Sequence, residues 1–229
     1  MCGRYSLLAS MKVVQRLFRC VTGAINFPSR YNIAPSQFAP VVALHSDGAP
    51  KLSLMRWGLI PAWSTSNNNR YSMFNARVET VATKPAYRNA FKKRRCLVPT
   101  DGFYEWKKKG DVKEPYRISL TNHKVFAFAG LWERRENGPT SVMDSFTILT
   151  TPANSLISPI HARMPLIIPP EVHTDWLSGS KPEPLLLPYP AAKRNAYPLD
   201  SYVNNAKHDD LRCLTPAKKN SQCEIFNRS

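Results

Sequence analysis

The sequence has no long hydrophobic run and no close pair of cysteines, and each absence excludes a class of protein. No stretch reaches the roughly 18 apolar residues of a membrane-spanning helix, and Arg4 interrupts any signal-peptide core. The five cysteines are widely spaced without a C-x-x-C motif, which argues against a disulfide framework and a structural zinc site. We therefore expect a soluble intracellular protein with no membrane partner and at least one free thiol.

Acidic residues are also scarce, since 16 Asp and Glu face 32 Lys and Arg and leave a net charge of +16. Such a field attracts polyanions, and nucleic acid is the usual one. The alternative is a generically basic protein that its charge keeps soluble. The sequence has no His, Cys and Asp cluster at ligand spacing, so we predict no metal and no cofactor.

From about residue 41 onward, the chain consists mainly of short segments in which apolar and polar residues alternate, separated by turn residues. They predict a hairpin of strands at 41–44 and 51–57. Further strands are expected at 96–99, 102–106, 116–120, 125–132 and 145–151, with Asp101-Gly102 joining the strands at 96–99 and 102–106. A chain of 229 residues without internal repeats or a linker fits one domain. We predict an α+β fold, a single domain over 1–229 and monomeric, with a mainly antiparallel, barrel-like β-sheet core flanked by short helices.

Helical and irregular segments complete the prediction. Helices are expected at 10–19, 84–91, 153–158 and 171–177, the first with Ser10 as its cap and Val13, Val14, Leu17 and Phe18 on one face. Irregular structure is expected at 30–35 and 178–198, a polar loop at 64–69, a turn at Asn122-His123 and a mobile tail over 215–229.

A cysteine stands at position two. If Met1 is removed, Cys2 carries an α-amine and a thiol on adjacent carbons, and this aminothiol can condense with an aldehyde to a thiazolidine ring. The reference pKa values of the two groups, about 8 and about 8.5, leave useful fractions of both reactive forms at neutral pH. The alternative is that Cys2 is an incidental residue of a flexible terminus.

Two other titratable residues interrupt apolar strands. Glu105 lies between Tyr104 and Trp106, where a carboxyl group is either paired or has a raised pKa suited to general acid/base catalysis. An outward-facing strand glutamate is the alternative. His161 lies between Ile160 and Ala162 and is either catalytic or a structural histidine.

Asn75 and Arg77 are two residues apart, so they share a face if they lie on a strand. An amide beside a guanidinium suits phosphate and sugar oxygens, although an ion pair of Arg77 with Glu79 is equally open. Trp57 and Trp63 flank a Gly- and Pro-containing loop, where they either pack or serve as platforms for unstacked bases.

Six motifs occur in order along the chain. They are Cys2-Gly3-Arg4, Arg30-Tyr31-Asn32-Ile33-Ala34-Pro35, Trp57-Gly58-Leu59-Ile60-Pro61, Asn75-Ala76-Arg77-Val78-Glu79-Thr80, Asp101-Gly102-Phe103-Tyr104-Glu105-Trp106 and His161-Ala162-Arg163-Met164-Pro165. Over residues 2–210 the chain resembles the SRAP (SOS response-associated peptidase) family, which shields abasic sites in single-stranded DNA. The chain has His208 where the resemblance leads us to expect Asn, and its tail with Cys223 matches nothing in the family.

The resemblance implies a role for each site residue. Cys2, freed of Met1 by self-processing, is the expected nucleophile that forms a thiazolidine with the abasic-site aldehyde. Glu105 is the expected general acid/base, and His161 assists at a sugar oxygen. Asn75 is expected at the abasic nucleotide as a catalytic and DNA-binding residue. The remaining DNA contacts implied are Arg4, Arg77, Trp63, Trp106, Thr150 and Arg163.

The sequence thus predicts a DNA-damage protein that crosslinks to abasic sites in single-stranded DNA, with associated lyase and self-processing activity. It is expected in the bacterial cytoplasm (nucleoid), or in the nucleus of a eukaryote. Two other functions stay open at this stage. One is a thiol peptidase that acts on other proteins, and the second is a non-covalent binder of single-stranded DNA.

Overall fold

The computed structural model describes residues 2–22, 25–45, 47–64, 73–121, 125–136 and 142–218. The strands in chain order are β1 (Arg4–Leu7), β2 (Val21–Thr22), β3 (Arg30–Ile33), β4 (Phe38–Leu44), β5 (Pro50–Trp57), β6 (Asn75–Arg77), β7 (Arg95–Thr100), β8 (Gly102–Lys109), β9 (Val112–Leu120), β10 (Phe126–Glu136), β11 (Val142–Pro152), β12 (Arg163–Pro165), β13 (Ile167–Ile168) and β14 (Arg194–Pro198). The α-helices are α1 (Met11–Phe18), α2 (Arg88–Lys93) and α3 (His173–Ser178). Single 3-10 turns cover Pro170–Val172, Glu183–Leu185, Ala191–Lys193, Ser201–Asn204 and Leu211–Leu214.

A closed barrel forms the centre of the molecule. Strands β11, β10, β7, β4 and β5 pair in that order through antiparallel ladders, and a short parallel pairing of β5 with β11 closes the ring at Trp57 and Phe146. The rings of Trp57 and Phe146 are stacked with their centroids 6.3 Å apart, and the Tyr5 ring packs edge-on against Trp57 at 5.1 Å. The predicted α+β class with a mainly antiparallel barrel-like core is confirmed.

A second, antiparallel sheet packs beside the barrel, with the strand order β14-β9-β8-β1-β3. The chain passes from one sheet to the other at Asp101, because β7 ends in the barrel at Thr100 and β8 begins in the second sheet at Gly102. The backbone N–H of Asp101 and the hydroxyl of Thr100 both donate to the carbonyl of Ser6, at 3.1 and 3.0 Å. Asp101-Gly102 is therefore a crossing between sheets and not a hairpin turn.

Several predicted boundaries are wrong, two because of tertiary strand pairing and one because of a local side-chain hydrogen bond. Residues 30–33 form an edge strand, because their backbone pairs with β1. Residues 153–158 form turns instead of a helix, where the side chain of Asn154 accepts from the backbone N–H of Ile157 at 3.1 Å and competes with helical bonding. Residues 194–198 form a strand, because they pair with β9.

The helices also differ from the prediction in detail. Helix α2 begins at Arg88, because Tyr87 has a non-helical φ of −124° and its buried ring is packed next to β6. Helix α1 buries Val14 and Phe18 but leaves Leu17 46% exposed, and Ser10 makes no side-chain cap bond. Helix α3 with its preceding 3-10 turn confirms the predicted helix at 171–177.

No helix in the described ranges has the length and apolarity to cross a bilayer. The thiols of Cys2, Cys20, Cys96 and Cys213 are free and buried, which confirms the expected free thiol. The predicted turn at Asn122-His123, the polar loop from residue 65 onward, Met1 and the tail from residue 219 with Cys223 lie outside the described residues.

Candidate active site

Cys2 lies beside β6. The side-chain amide of Asn75 donates from Nδ2 to the carbonyl of Cys2 at 2.7 Å, and the thiol of Cys2 lies 3.8 Å from the carbonyl of Arg4. Cys2 is completely buried, and Oδ1 of Asn75 is buried without a hydrogen-bond partner among the described residues. Asn75 therefore holds the second residue of the chain in a fixed place, with an acceptor oxygen still available there.

Glu105 lies in the middle of β8, next to the strand that follows Cys2. It is 2% exposed, and this burial raises the pKa of its carboxyl group to about 7, while the positive charge of the chain's amino group acts in the opposite direction. Burial, and then the negative charge of Glu105, raise the pKa of the Cys2 thiol well above its usual value. The carboxyl and the thiol are thus electrostatic neighbours, and near neutral pH Glu105 is poised to take up or release a proton.

His161 follows the turns after β11. Its Nδ1 lies 2.9 Å from the backbone nitrogen and 3.0 Å from the backbone oxygen of Arg163, so the backbone fixes the plane of the ring. Burial lowers the pKa of His161, as do the positive charges of the amino terminus and of Arg163. The imidazole is therefore neutral near pH 7 and able to hydrogen-bond a polar group in the cleft.

A cleft of about 810 Å³ is lined by Glu105 and His161, while Cys2 and Asn75 are not among its lining residues. Among the predicted residues it brings together Arg4, Glu105, Trp106 and His161. The rest of its lining consists of Gly3, Pro35, Phe74, Lys108, Lys113, Ile160, Ala162 and Asn204. Lys108 and Lys113 had no predicted role, because both lie beyond the predicted ends of the strands that form the hairpin of Glu105.

Arg4 is held against the wall of the cleft. Its guanidinium donates to Oδ1 of Asn32 at 3.0 Å and to the carbonyls of Val203 and Asn204 at 3.3 Å each, and it lies 5.8 Å from the centroid of the Trp106 ring. The indole N–H of Trp106 in turn donates to Oδ1 of Asn204 at 2.7 Å. These contacts fix a cation and an aromatic face side by side.

The C-terminal segment that provides those carbonyls is organised by Asn32, a residue that the sequence analysis did not single out. Asn32 is completely buried and donates from Nδ2 to the carbonyls of Val203, Asn205 and His208. His208 stacks on the Tyr202 ring at 3.8 Å, so at this position the chain uses an aromatic ring to close the segment. His208, at the position where Asn was expected, thus has a local packing role beside the cleft.

The pair Asn75 and Arg77 does lie on a strand, β6, which runs parallel to β11 with Arg77 opposite Thr150. Arg77 is exposed, and Glu79 pairs with Arg163, at 2.6 and 3.0 Å, so the open alternative of an Arg77–Glu79 pair is replaced. The hydrogen bonds from Arg163 lower the pKa of Glu79.

Thr150 and Trp63 occupy opposite environments. Thr150 is completely buried, donates to the carbonyl of Ala76 at 3.3 Å and contacts Arg163 behind the site. Trp63 is 69% exposed and is not among the side chains that line the cleft.

In the part of the chain that the structure describes, no three His, Cys, Asp or Glu side chains converge as a metal site would require.

Comparisons with known proteins identify the family. The family model described as SOS response associated peptidase (SRAP) matches residues 1–206. The chain is 37% identical to the abasic site processing protein YoaM of Bacillus subtilis, over 93% of this chain and 97% of that protein. It is 30% identical to the abasic site processing protein HMCES of Gallus gallus, over 81% of this chain and 66% of that protein.

Solved structures show the same fold. A crystal structure of a protein from Bacteroides thetaiotaomicron matches with a TM-score of 0.86 and 27% identity, over 95% of this chain and all of the other. A crystal structure of a protein from Bordetella bronchiseptica matches with a TM-score of 0.77 and 26% identity, over 87% of this chain and 100% of the other. The cleft, the ordered motifs and these matches lead to one assignment, that the chain belongs to the SOS response-associated peptidase (SRAP) family.

Proposed function

We propose that this protein processes abasic sites in single-stranded DNA by forming a covalent thiazolidine between Cys2, after removal of Met1, and the ring-opened sugar aldehyde. The observation that carries the proposal is the buried Glu105 carboxyl, with a pKa of about 7, as the electrostatic neighbour of the Cys2 thiol at the wall of an open cleft. The relatives named as abasic site processing proteins support the choice of lesion.

The first step opens the sugar. In the closed form the C1′–O4′ bond breaks and the C1′ hydroxyl becomes a carbonyl, while O4′ receives a proton. Glu105 in its protonated form is the group suited to supply that proton, because its pKa lies near the working pH. His161, whose ring is fixed by the backbone of Arg163, hydrogen-bonds the same sugar oxygen.

The second step joins protein and DNA. The α-amine of Cys2 attacks C1′, and the carbinolamine takes up the proton that the C1′ hydroxyl released, loses water and leaves an iminium ion. Because burial and Glu105 hold the thiol neutral, we infer that the amine reacts before the sulfur. The S–H proton then passes to ionised Glu105, the sulfur bonds to C1′, and the electron pair of the C=N bond returns to nitrogen. The net change is one thiazolidine formed and one water released.

The placement of Cys2 serves this order of events. Asn75 binds the carbonyl of Cys2 at 2.7 Å, so the amine and the thiol of the mature terminus are positioned before DNA arrives. The available Oδ1 of Asn75 is an acceptor for an N–H of that amine. The iminium ion also acidifies the C2′ proton, so we include a slower lyase reaction in the proposal, together with self-removal of Met1.

The DNA contacts follow from the cleft. Arg4 and Trp106 present a fixed cation and a stacking face, and Arg77 is exposed beside Asn75. Arg163 and Thr150 act from behind by positioning, and the exposed Trp63 is a stacking surface outside the cleft. All reacting groups come from one chain, so we propose that a monomer acts in the compartment that holds the DNA.

The test uses single-stranded DNA with a natural abasic site, and in parallel a tetrahydrofuran analogue that has no aldehyde. We expect an adduct stable to denaturation with the first DNA only, and its complete loss in Cys2→Ala. Equal, non-covalent retention of both DNAs that Cys2→Ala leaves unchanged would indicate a plain single-strand binder. Cleavage of unrelated peptides by Cys2 would indicate a thiol peptidase instead.

The Cys2→Ala variant provides a second readout. This variant keeps an α-amine once Met1 is removed, so the iminium ion can still form although the ring cannot close. Borohydride should therefore trap an adduct with the fraction of Cys2→Ala in which intact mass shows that Met1 is absent. Retention of Met1 in protein that forms the adduct would exclude the aminothiol mechanism.

A further inference from the structure

Two lysines face each other across the hairpin that carries Glu105. In the register of β8 and β9, Lys108 is directly opposite Lys113, and both side chains are exposed and line the cleft. Like charges at opposite positions of an antiparallel ladder repel each other and destabilise the pairing. The repulsion therefore lowers the stability of the hairpin, and the fold of the hairpin gives no reason for it.

The other face of the same hairpin has the opposite arrangement. Glu114 is directly opposite Lys107 and lies 3.4 Å from the ammonium of Lys109, so the cations of that face share a carboxylate. Within the described ranges, no carboxylate lies within ion-pair distance of Lys108 or Lys113. The face that borders the cleft therefore has two opposed cations without a carboxylate, whereas Glu114 lies among the cations of the other face.

The position of this face relates it to the reaction. Side chains alternate along β8, so Trp106 and Lys108 share one face, whereas Glu105 belongs to the face of Lys107. Lys108 is three residues, about 10 Å along the strand, from Glu105, and both residues line the cleft. The fixed pair of Arg4 and Trp106 comes next on the same side of the sheet. A strand whose abasic sugar lies at Glu105 and whose neighbouring base stacks on Trp106 would bring its next phosphate to the two lysines.

We propose that Lys108 and Lys113 together bind one backbone phosphate of the single strand that flanks the abasic nucleotide. This inference rests on the proposed function, and it adds a phosphate site that fixes the path of the DNA away from the lesion. The anion removes the repulsion between the ammonium groups, so the hairpin is more stable with DNA bound than without it.

The experiment measures non-covalent binding of single-stranded DNA that carries the tetrahydrofuran analogue, at several salt concentrations. The double variant Lys108→Gln/Lys113→Gln should bind on the order of tenfold more weakly at 0.1 M salt, and its log–log salt slope should be shallower by about 0.7, the contribution of one single-strand phosphate contact. The matched control is Lys107→Gln/Lys109→Gln, which removes the same charge from the other face of the hairpin. The control should change the affinity and the slope much less.

Equal losses in the two double variants would mean a general field effect and would overturn the phosphate site. An unchanged salt slope in Lys108→Gln/Lys113→Gln would overturn it as well. Wild-type protein is assayed in parallel with natural abasic DNA, because the absence of an adduct there refutes the proposed chemistry and not the phosphate site. A normal adduct with an unchanged slope refutes the phosphate site alone.

A charge reversal tests the cost that motivates the proposal. Lys108→Glu replaces a repulsive cross-strand pair with an attractive one, so the variant should have a higher Tm than the wild type and bind the analogue DNA more weakly. Bound DNA should also raise the Tm of the wild type by more than that of the variant. A lower Tm for Lys108→Glu would show that the two lysines do not repel each other, and would remove the reason for the site.

Discussion

Two buried carboxyl groups lie four residues apart around the start of β8, and their surroundings differ. Asp101 accepts from the hydroxyl of Ser6 at 2.5 Å, from the backbone N–H of Leu8 and from Arg117 at 3.1 Å. Glu105 is buried to 2% exposure, and desolvation raises its pKa to about 7. Both carboxyl groups line cavities, of about 530 and 810 Å³, so concavity alone does not separate structure from chemistry. The surroundings of each carboxyl group distinguish the structural residue from the chemical one.

The largest expected contrast concerns the rate of adduct formation. Glu105→Gln should slow the single-turnover reaction with natural abasic DNA by about 10² to 10⁴-fold, because it removes proton transfer to and from the reacting groups. Asp101→Asn, the matched amide substitution, should keep the rate of its folded fraction within about threefold, since it lies in the other cavity. Comparable losses in both variants would end the distinction between the two carboxyl groups.

Stability should show the reverse contrast. Asp101→Asn leaves the charge of Arg117 buried without its carboxylate, and we expect a loss of about 3–5 kcal/mol in the free energy of unfolding. Glu105→Gln removes a desolvated acid and should leave the Tm at neutral pH unchanged or higher. Thermal unfolding of both variants at pH 7 measures the difference. A Tm that falls more for Glu105→Gln than for Asp101→Asn contradicts the comparison.

The pH dependence of stability isolates Glu105. Its pKa is raised from 4.5 to about 7 on folding, so the folded protein keeps a proton that the unfolded chain loses above pH 4.5. The stabilisation by this proton is complete below pH 4.5 and is lost as the pH rises to about 7, for a change of about 3 kcal/mol. The unfolding free energy of the wild type, minus that of Glu105→Gln, should therefore fall across this window. A difference that stays constant with pH would show that the carboxyl group is not desolvated.

The smallest expected effect comes from a substitution of Gly102, which lies between Asp101 and Glu105 in the chain. A Cβ at this position would lie 2.7 Å from Cζ of Arg117, so Gly102→Ala should displace the guanidinium from Asp101 and cost about 1–2 kcal/mol. Denaturant unfolding checks the value, and the rate of adduct formation should not change. The substitution Gly110→Ala, at a turn with open space but a φ of +61°, is the control for backbone strain alone.

Several strands and the central residues of the candidate site could be predicted from the sequence. Alternating hydrophobic residues predicted the barrel hairpin and the strand of Glu105, because periodicity of two follows directly from strand geometry. The ordered motifs carried Cys2, Glu105 and His161, which the structure places around one cleft or directly beside it.

Other features depend on distant partners and could not be read from local pattern. The strand at 30–33 is set by pairing with β1, and Arg163 pairs with Glu79 across 84 positions of the chain. The role of Asn32 likewise depends on carbonyls more than 170 residues away. The opposition of Lys108 and Lys113 depends on the hairpin register, and both lysines lie outside the strands predicted at 102–106 and 116–120.

The central claim is that both reactive atoms come from Cys2, and peptide mapping of the purified adduct by mass spectrometry tests it most directly. We predict an N-terminal peptide that begins at Cys2 and carries the sugar remnant, with the mass of the two components less one water and with neither a free amine nor a free thiol. A remnant attached to a lysine, or an adduct whose peptide still begins with Met1, would contradict the account.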